Sequence, residues 1–144
     1  MISTKGRYAL RIMLDLALND NGEFITLKDI SQRQEITVKY LEQIVSLLTR
    51  AGFLRSMRGV GGGYQLTRRP EQYTAGDILR AAEKGLAPIA CLNDHPNKCR
   101  RSPDCQVLSF WENYDKVIND YIDSVTLADL AENAKRNSDI DYSI

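Results

Sequence analysis

Apolar positions in the first half of the chain fall into short helical stretches followed by a strand pair. Residues 3–18 carry Tyr8, Leu10, Ile12, Met13, Leu14, Leu16, Ala17 and Leu18, apolar over more than one face, which predicts a core helix. Asn19-Asp20-Asn21-Gly22 is a strong turn sequence. Thr26-Leu27-Lys28-Asp29 has the form of a capping box with aspartate in the acidic place and opens a short helix to about Arg33. After the tight connection Gln34-Glu35-Ile36, Thr37 caps a third helix. In it Val38, Leu41, Ile44, Val45 and Leu48 are expected to face inward, and Ala51-Gly52 supplies the glycine stop. Two short capped helices joined by a few residues form the helix-turn-helix pattern.

The period then changes. Residues 53–58 read as a strand and residues 64–67 as its partner, with Gly59-Val60-Gly61-Gly62-Gly63 as a flexible hairpin tip. A basic, glycine-rich hairpin directly after a helix-turn-helix is the layout of a winged helix. The glycine run lacks a following Lys-Ser/Thr pair and opens no helix, so it is a poor nucleotide loop. Arg69-Pro70 breaks the chain, and Thr74-Ala75-Gly76-Asp77 opens a short helix to about Ala82.

The clearest amphipathic helix comes later, in the stretch that begins at Ala90. Ser102 is a candidate N-cap, Pro103 suits the first helical position and Asp104 favours the positive end of the helix dipole. Val107, Trp111, Tyr114, Ile118 and Tyr121 then recur at alternating steps of four and three, a heptad-like seam that Leu108, Val117 and Ile122 widen. So broad an apolar stripe, with a cysteine loop at its mouth, predicts a sensor joined to a dimer interface. Thr126-Leu127-Ala128-Asp129 caps a last helix, and from Asn133 onward a polar, acidic, frayed tail is expected. The reading is a mainly α chain: a winged helix-turn-helix over 1–82, a cysteine loop over 83–102, a dimerisation helix and terminal helix over 103–132, and a flexible tail over 133–144.

Composition sharpens this picture. The 144 residues suit one domain or a domain with an appendage. The 43% apolar and 26% charged fractions are ordinary for a globular protein. Neither a membrane span nor a signal-peptide pattern is present, so a cytoplasmic chain that needs no membrane is expected. The 19 basic and 19 acidic residues cancel overall but are unevenly spread. Residues 1–69 have 11 basic against 6 acidic side chains, and residues 70–144 have 8 against 13. A basic first half points to a polyanion partner. Lys5, Arg7 and Arg11 cluster near the start of the first helix, where cations oppose the helix dipole, and a phosphate partner would account for them.

The three cysteines form a Cys91-x7-Cys99-x5-Cys105 pattern. An odd number in a reducing compartment points to metal ligands or redox groups rather than a disulfide framework. Lys98, Arg100 and Arg101 surround Cys99, and Cys105 is expected in the first turn of the long helix, settings that favour thiolate. Three chemistries remain open: an iron–sulfur cluster, a structural Cys3His zinc site completed by His95, and a thiol switch. There is no carboxylate pair or Ser/His/Asp set, and His95 is the only histidine, so an enzyme is not expected.

Taken in order, these motifs resemble the IscR/NsrR/CymR family of dimeric bacterial winged-helix transcription regulators. The matching stretches are Ser3-Thr4-Lys5-Gly6-Arg7-Tyr8-Ala9, Tyr40-Leu41-Glu42-Gln43, Arg58-Gly59-Val60-Gly61-Gly62-Gly63-Tyr64, Thr74-Ala75-Gly76-Asp77-Ile78, the cysteine triplet and Thr126-Leu127-Ala128-Asp129-Leu130. The resemblance implies a homodimeric repressor in which the long helices cross and a recognition helix from each subunit reads half of a pseudo-palindromic double-stranded operator. It implies that Lys39, Tyr40 and Gln43 meet base edges or phosphates, Gln43 suiting adenine, while Glu42 accepts from cytosine or repels a wrong sequence. Arg58, with Gly59 beside it, would enter a narrow minor groove, and Ser3, Thr4, Lys5 and Arg7 would hold phosphates. Cluster-binding members carry three cysteines in this loop, which makes Cys91, Cys99 and Cys105 the expected ligands of a [2Fe-2S] or [4Fe-4S] cluster. The positions of the fourth ligands known in the family hold Leu108 and Tyr8 here, departures from the family pattern, so His95 is the first candidate, with Asp94 and Asp104 as alternatives. The rival reading is a cluster-free regulator controlled by a protein partner or by thiol oxidation in cysteine metabolism.

Overall fold

The computed structural model describes the backbone of residues 1–142. Helices α1 (Thr4–Leu18), α2 (Leu27–Gln34) and α3 (Val38–Arg50) are followed by strands β1 (Leu54–Met57) and β2 (Gly63–Leu66), then α4 (Ala75–Ala82), α5 (Leu108–Ser124) and α6 (Leu127–Tyr142). The expected mainly helical winged helix-turn-helix is the fold observed. Thr26, Thr37 and Thr74 each cap the following helix through the side-chain oxygen, accepting from the backbone N–H of Asp29, Tyr40 and Asp77. Gly52, at φ +81°, lies just beyond α3 in the left-handed region where a glycine stop belongs.

The core is shared by α1, α2, α3, the wing, α4 and the start of α6. Ala9, Ile12, Met13, Leu16, Ile30, Leu41, Ile44, Val45, Leu48, Ile78 and Leu127 are buried in one cluster. Tyr73, just before α4, is buried with them. Its hydroxyl donates to the Phe53 carbonyl at 2.9 Å and accepts from the backbone N–H groups of Thr67 and Arg68 at 3.1 and 3.0 Å. One phenol thereby ties both feet of the wing to α4.

The two strands pair antiparallel, with Leu54 opposite Leu66 and Met57 opposite Gly63. Ile25 adds a bridge on the outer edge of β2, exchanging backbone hydrogen bonds with Tyr64 at 2.9 and 2.7 Å. Gly63 has φ +143°, and a Cβ there would run into the Ile25 carbonyl, so only glycine admits this third segment.

Several expectations are corrected. Val38 is 40% exposed at the opening of α3 rather than part of its buried face, because the helix turns inward only from Leu41. Ser102, Pro103 and Asp104 do not open the long helix. They form a separate 3-10 turn, after which Cys105 is extended (ψ 110°), and α5 starts at Leu108 with Val107 as an N-cap that has no side-chain acceptor. Cys105 consequently precedes the long helix instead of occupying its first turn. The tail expected to fray from Asn133 is helical to Tyr142, supported by a Glu132–Arg136 pair one turn apart. Ser143 and Ile144, the remainder of that expected tail, lie outside the described residues.

Candidate nucleic-acid interface and cysteine loop

The recognition helix presents one polar face. Leu41, Ile44, Val45 and Leu48 hold α3 to the core, which leaves Lys39, Glu42 and Gln43 exposed on the other side. Tyr40 lies between these faces. It is half-buried, and its ring meets Tyr8 edge-on at 5.6 Å between centroids, while the Arg11 guanidinium covers Tyr8 at 5.1 Å. At the wing tip, Arg58 and Gly59 are exposed, and the tip is closed by a Gly62 N–H to Gly59 carbonyl bond.

Ser3, Thr4, Lys5 and Tyr40 line one open cleft of about 880 Å³ between the start of α1, α3 and the segment after α4. Arg7 is exposed and donates to the Thr4 hydroxyl at 3.0 Å. Ser3 is not an ordinary cap of α1. Its N–H and its hydroxyl both donate to Glu83 Oε1, at 2.6 and 2.8 Å.

Sequence reasoning missed this glutamate, and it missed the group that fixes α2. Asp15 is 2% exposed in the otherwise apolar α1. It accepts two hydrogen bonds from Arg33 at 2.9 and 2.7 Å and a third from Gln34 at 2.9 Å. Those bonds hold the Arg33 guanidinium charged, above its ordinary pKa, against the desolvation that opposes it. Arg11 also donates to Gln34, so α1 grips the C-terminal end of α2 immediately before the turn into α3. The available signal was a lone acidic residue inside an apolar run, which must find a partner if buried.

The long helix carries two apolar faces. Tyr114, Ile118 and Ile122 line a partly open pocket of about 310 Å³ with Ile2 and Leu79 of the winged-helix body and Leu86 of the segment after α4. Phe110, Val117 and Tyr121 keep 60%, 67% and 67% of their surface exposed, and Val107 and Tyr114 are also exposed. Of the expected seam, Trp111 and Ile118 are half-buried within the single chain, while Val107, Tyr114 and Tyr121 face outward. The exposed apolar residues also include Val117, which widens the expected seam, and Phe110, which sequence reasoning omitted. Arg80 ties the body to this helix through two hydrogen bonds to Asp123, at 2.7 and 2.9 Å, and one to Asn119 at 2.8 Å. The Arg80 guanidinium holds the Asp123 carboxyl below the usual aspartate range.

Residues 83–107 form an irregular segment with two 3-10 turns, Ala90–Asn93 and Ser102–Asp104. The three cysteines are free thiols; Cys91 and Cys105 are half-exposed and Cys99 exposed. Among the described residues, no three histidine, cysteine or acidic side chains come together at metal-binding distance. Cys105 lines a cleft with Arg100, Arg101 and Asp104, whereas His95 lines a different one with Arg80, Lys84 and Asp115. Asp94 lies 3.8 Å from Lys98. The donor types suit a cluster or zinc, but in the single chain they are not gathered. No helix among the described residues is long and apolar enough to cross a membrane.

Comparison with known proteins agrees with this architecture. The family model Rrf2, described as iron-dependent transcriptional regulators, matches residues 2–133. The transcriptional regulator CymR of Bacillus subtilis is 40% identical over 130 residues, covering 90% of this chain and 88% of its own length. Its solved structure, described as that of the global cysteine regulator, superposes with a TM-score of 0.75 and 38% identity, covering 92% of this chain and 96% of that one. The structure of T. potens IscR gives a TM-score of 0.73 and 36% identity, covering 93% and 88%. These relatives are regulators rather than enzymes, in keeping with the lack of catalytic groups in the sequence. This chain is a member of the Rrf2 family of winged-helix transcriptional regulators.

Proposed function

We propose that the protein is a homodimeric repressor that binds pseudo-palindromic operator DNA and senses iron–sulfur status through Cys91, Cys99 and Cys105. The observation that carries this reading is one continuous arrangement. An exposed recognition face on α3 and an exposed apolar stripe on α5 are joined by a segment holding three free thiols. Phe110, Tyr114, Val117 and Tyr121 would pack against the same residues of a second copy, as a two-fold interface requires. The paired subunits would then set two α3 helices into successive major grooves. Lys39, Glu42 and Gln43 meet base edges, with Tyr40 braced on Tyr8 beside them. Arg58 and Gly59 reach the minor groove, and Thr4, Lys5 and Arg7 contact phosphates.

Cys91, Cys99 and Cys105 would be the thiolate ligands, with His95, Asp94 and Asp104 as candidates for a fourth. When bound, a cluster supplies a redox- and iron-sensitive link among these residues. Closing the segment around it would draw on the root of α5 and change the spacing of the two recognition helices. A ligand alters operator affinity only by preferring one such arrangement.

A second reading keeps the DNA-binding dimer but uses the cysteines as a thiol switch or a structural zinc site, or places control in a protein partner. Two observations favour it: the thiols are not gathered in the single chain, and the similarity to CymR is as extensive as that to IscR. Anaerobic purification with a visible spectrum and iron, sulfide and zinc analysis separates the two. Iron and sulfide in the wild type, absent from the Cys91→Ala/Cys99→Ala/Cys105→Ala variant, support the cluster. Zinc alone, or no metal, supports the second reading.

A further inference from the structure

We infer that Glu83 is a positioning residue for DNA binding: it fastens the first turn of α1 in the arrangement that presents Thr4, Lys5 and Arg7 to the phosphate backbone. This rests on the reading that the first turn of α1 faces DNA. Helix α1 begins badly by local criteria. Its first turn holds no acidic residue, Ser3 makes no side-chain cap, and Lys5 and Arg7 place positive charge at the positive end of the dipole. The missing negative group arrives from 80 residues away. Glu83 Oε1 accepts from both the N–H and the hydroxyl of Ser3. The approach is built into the helix: a Cβ on the buried Gly6 would overlap this same oxygen, so glycine leaves the notch that the carboxylate fills.

Glu83 is also the residue at which α4 ends, its backbone N–H still bonded to the Leu79 carbonyl. Arg80, one turn earlier, bonds Asp123 of α5. That second carboxylate is seated in the same way, against Gly76 of α4, where a Cβ would overlap Asp123 Oδ1. The last turn of α4 is thus pinned on one side to the outward-facing long helix and on the other to the start of α1, and the cysteine segment departs from it. Lys5 has no hydrogen bond or ion pair among the described residues and remains available to a phosphate.

The sign of the effect separates positioning from plain electrostatics. Removing a negative charge beside a DNA-binding surface ordinarily tightens binding. If Glu83 positions α1, its removal weakens binding instead. The test measures the affinity of the full-length protein for a labelled random-sequence duplex of about 30 base pairs across a potassium chloride series, where each phosphate contact adds about 0.9 to the slope of log affinity against log salt. Glu83→Ala is expected to weaken binding up to about tenfold near 0.1 M salt and to reduce the slope by about one. Gly6→Ala, which alters no charge and raises helix propensity, is expected to do the same by evicting the carboxylate. Glu83→Gln keeps an acceptor for Ser3 and is expected to stay within about twofold of the wild type, a rescue that loss of charge alone would not give. Lys5→Ala is run alongside. If it lowers the slope but Glu83→Ala binds as tightly as the wild type or tighter, the positioning role is overturned while α1 remains a phosphate contact. If Lys5→Ala leaves the slope unchanged, the reading of α1 falls and the proposal falls with it.

Discussion

Ile12, Leu41 and Ile44 are shut off from solvent within a single chain, whereas on α5 Phe110, Val117 and Tyr121 remain mostly exposed and no residue of the helix is fully buried. The two regions have similar apolar patterning in sequence, yet one finishes its burial alone and the other does not. The winged-helix body is closed by contacts among α1, α3, the wing and α4, with Tyr73 satisfied by three backbone partners at its centre. The long helix covers the body with one face and offers the other. A contiguous exposed apolar stripe of this kind marks a surface suited to a second molecule. The burial of the body is thus completed within one chain, while the outer face of α5 stays uncovered there.

Substitutions can break or sharpen that contrast. Leu41→Ala should have the largest effect, costing roughly 2 to 5 kcal/mol of unfolding free energy, read by denaturant titration. Asp15→Ala should follow at roughly 2 to 4 kcal/mol, because it leaves Arg33 and Gln34 without their acceptor at the α1–α2 junction. It should also weaken DNA binding, since the turn into α3 is no longer held. Val117→Lys should behave in the opposite manner: monomer in sedimentation velocity at micromolar concentration, with the helical spectrum of the body retained. A dimer unaffected by this charge would remove the association role assigned to α5. The smallest effect concerns the joint between the regions. Arg80 lowers the pKa of Asp123, so whatever the pair contributes is fully present above the ordinary aspartate value near pH 4 and is lost as the pH falls through the lowered folded value. The pair is well exposed to solvent, so the loss should be slight and visible mainly as a low titration midpoint for Asp123 by NMR.

Elements announced by local signals were legible before the structure. Thr26, Thr37 and Thr74 cap the helices their spacing predicts, and the glycine run marks the wing. The start of α5 was misread because Ser102-Pro103-Asp104 is a good helix opening that the extended backbone at Cys105 interrupts after one 3-10 turn. Of the α5 seam, Val107, Tyr114 and Tyr121 are exposed as expected, whereas Trp111 and Ile118 are half-buried, because sequence periodicity alone does not say which side of the apolar stripe the body takes. The contacts that fix the candidate interface were illegible for another reason. Asp15 with Arg33, Ser3 with Glu83, and Tyr73 with the feet of the wing join residues distant in sequence or lying in irregular segments. Gly6 and Gly76 looked like motif letters; each is a space cut for a carboxylate from another element.

The backbone bridge between Ile25 and Tyr64 has a metrical consequence. Because the chain entering α2 is stitched to the second strand, the hairpin and the two-helix unit are joined at a second point besides the direct run from α3 into β1. If α3 and the wing tip both meet DNA as proposed, this joint holds the distance between them, and inserting one base pair between their two contacts should weaken binding.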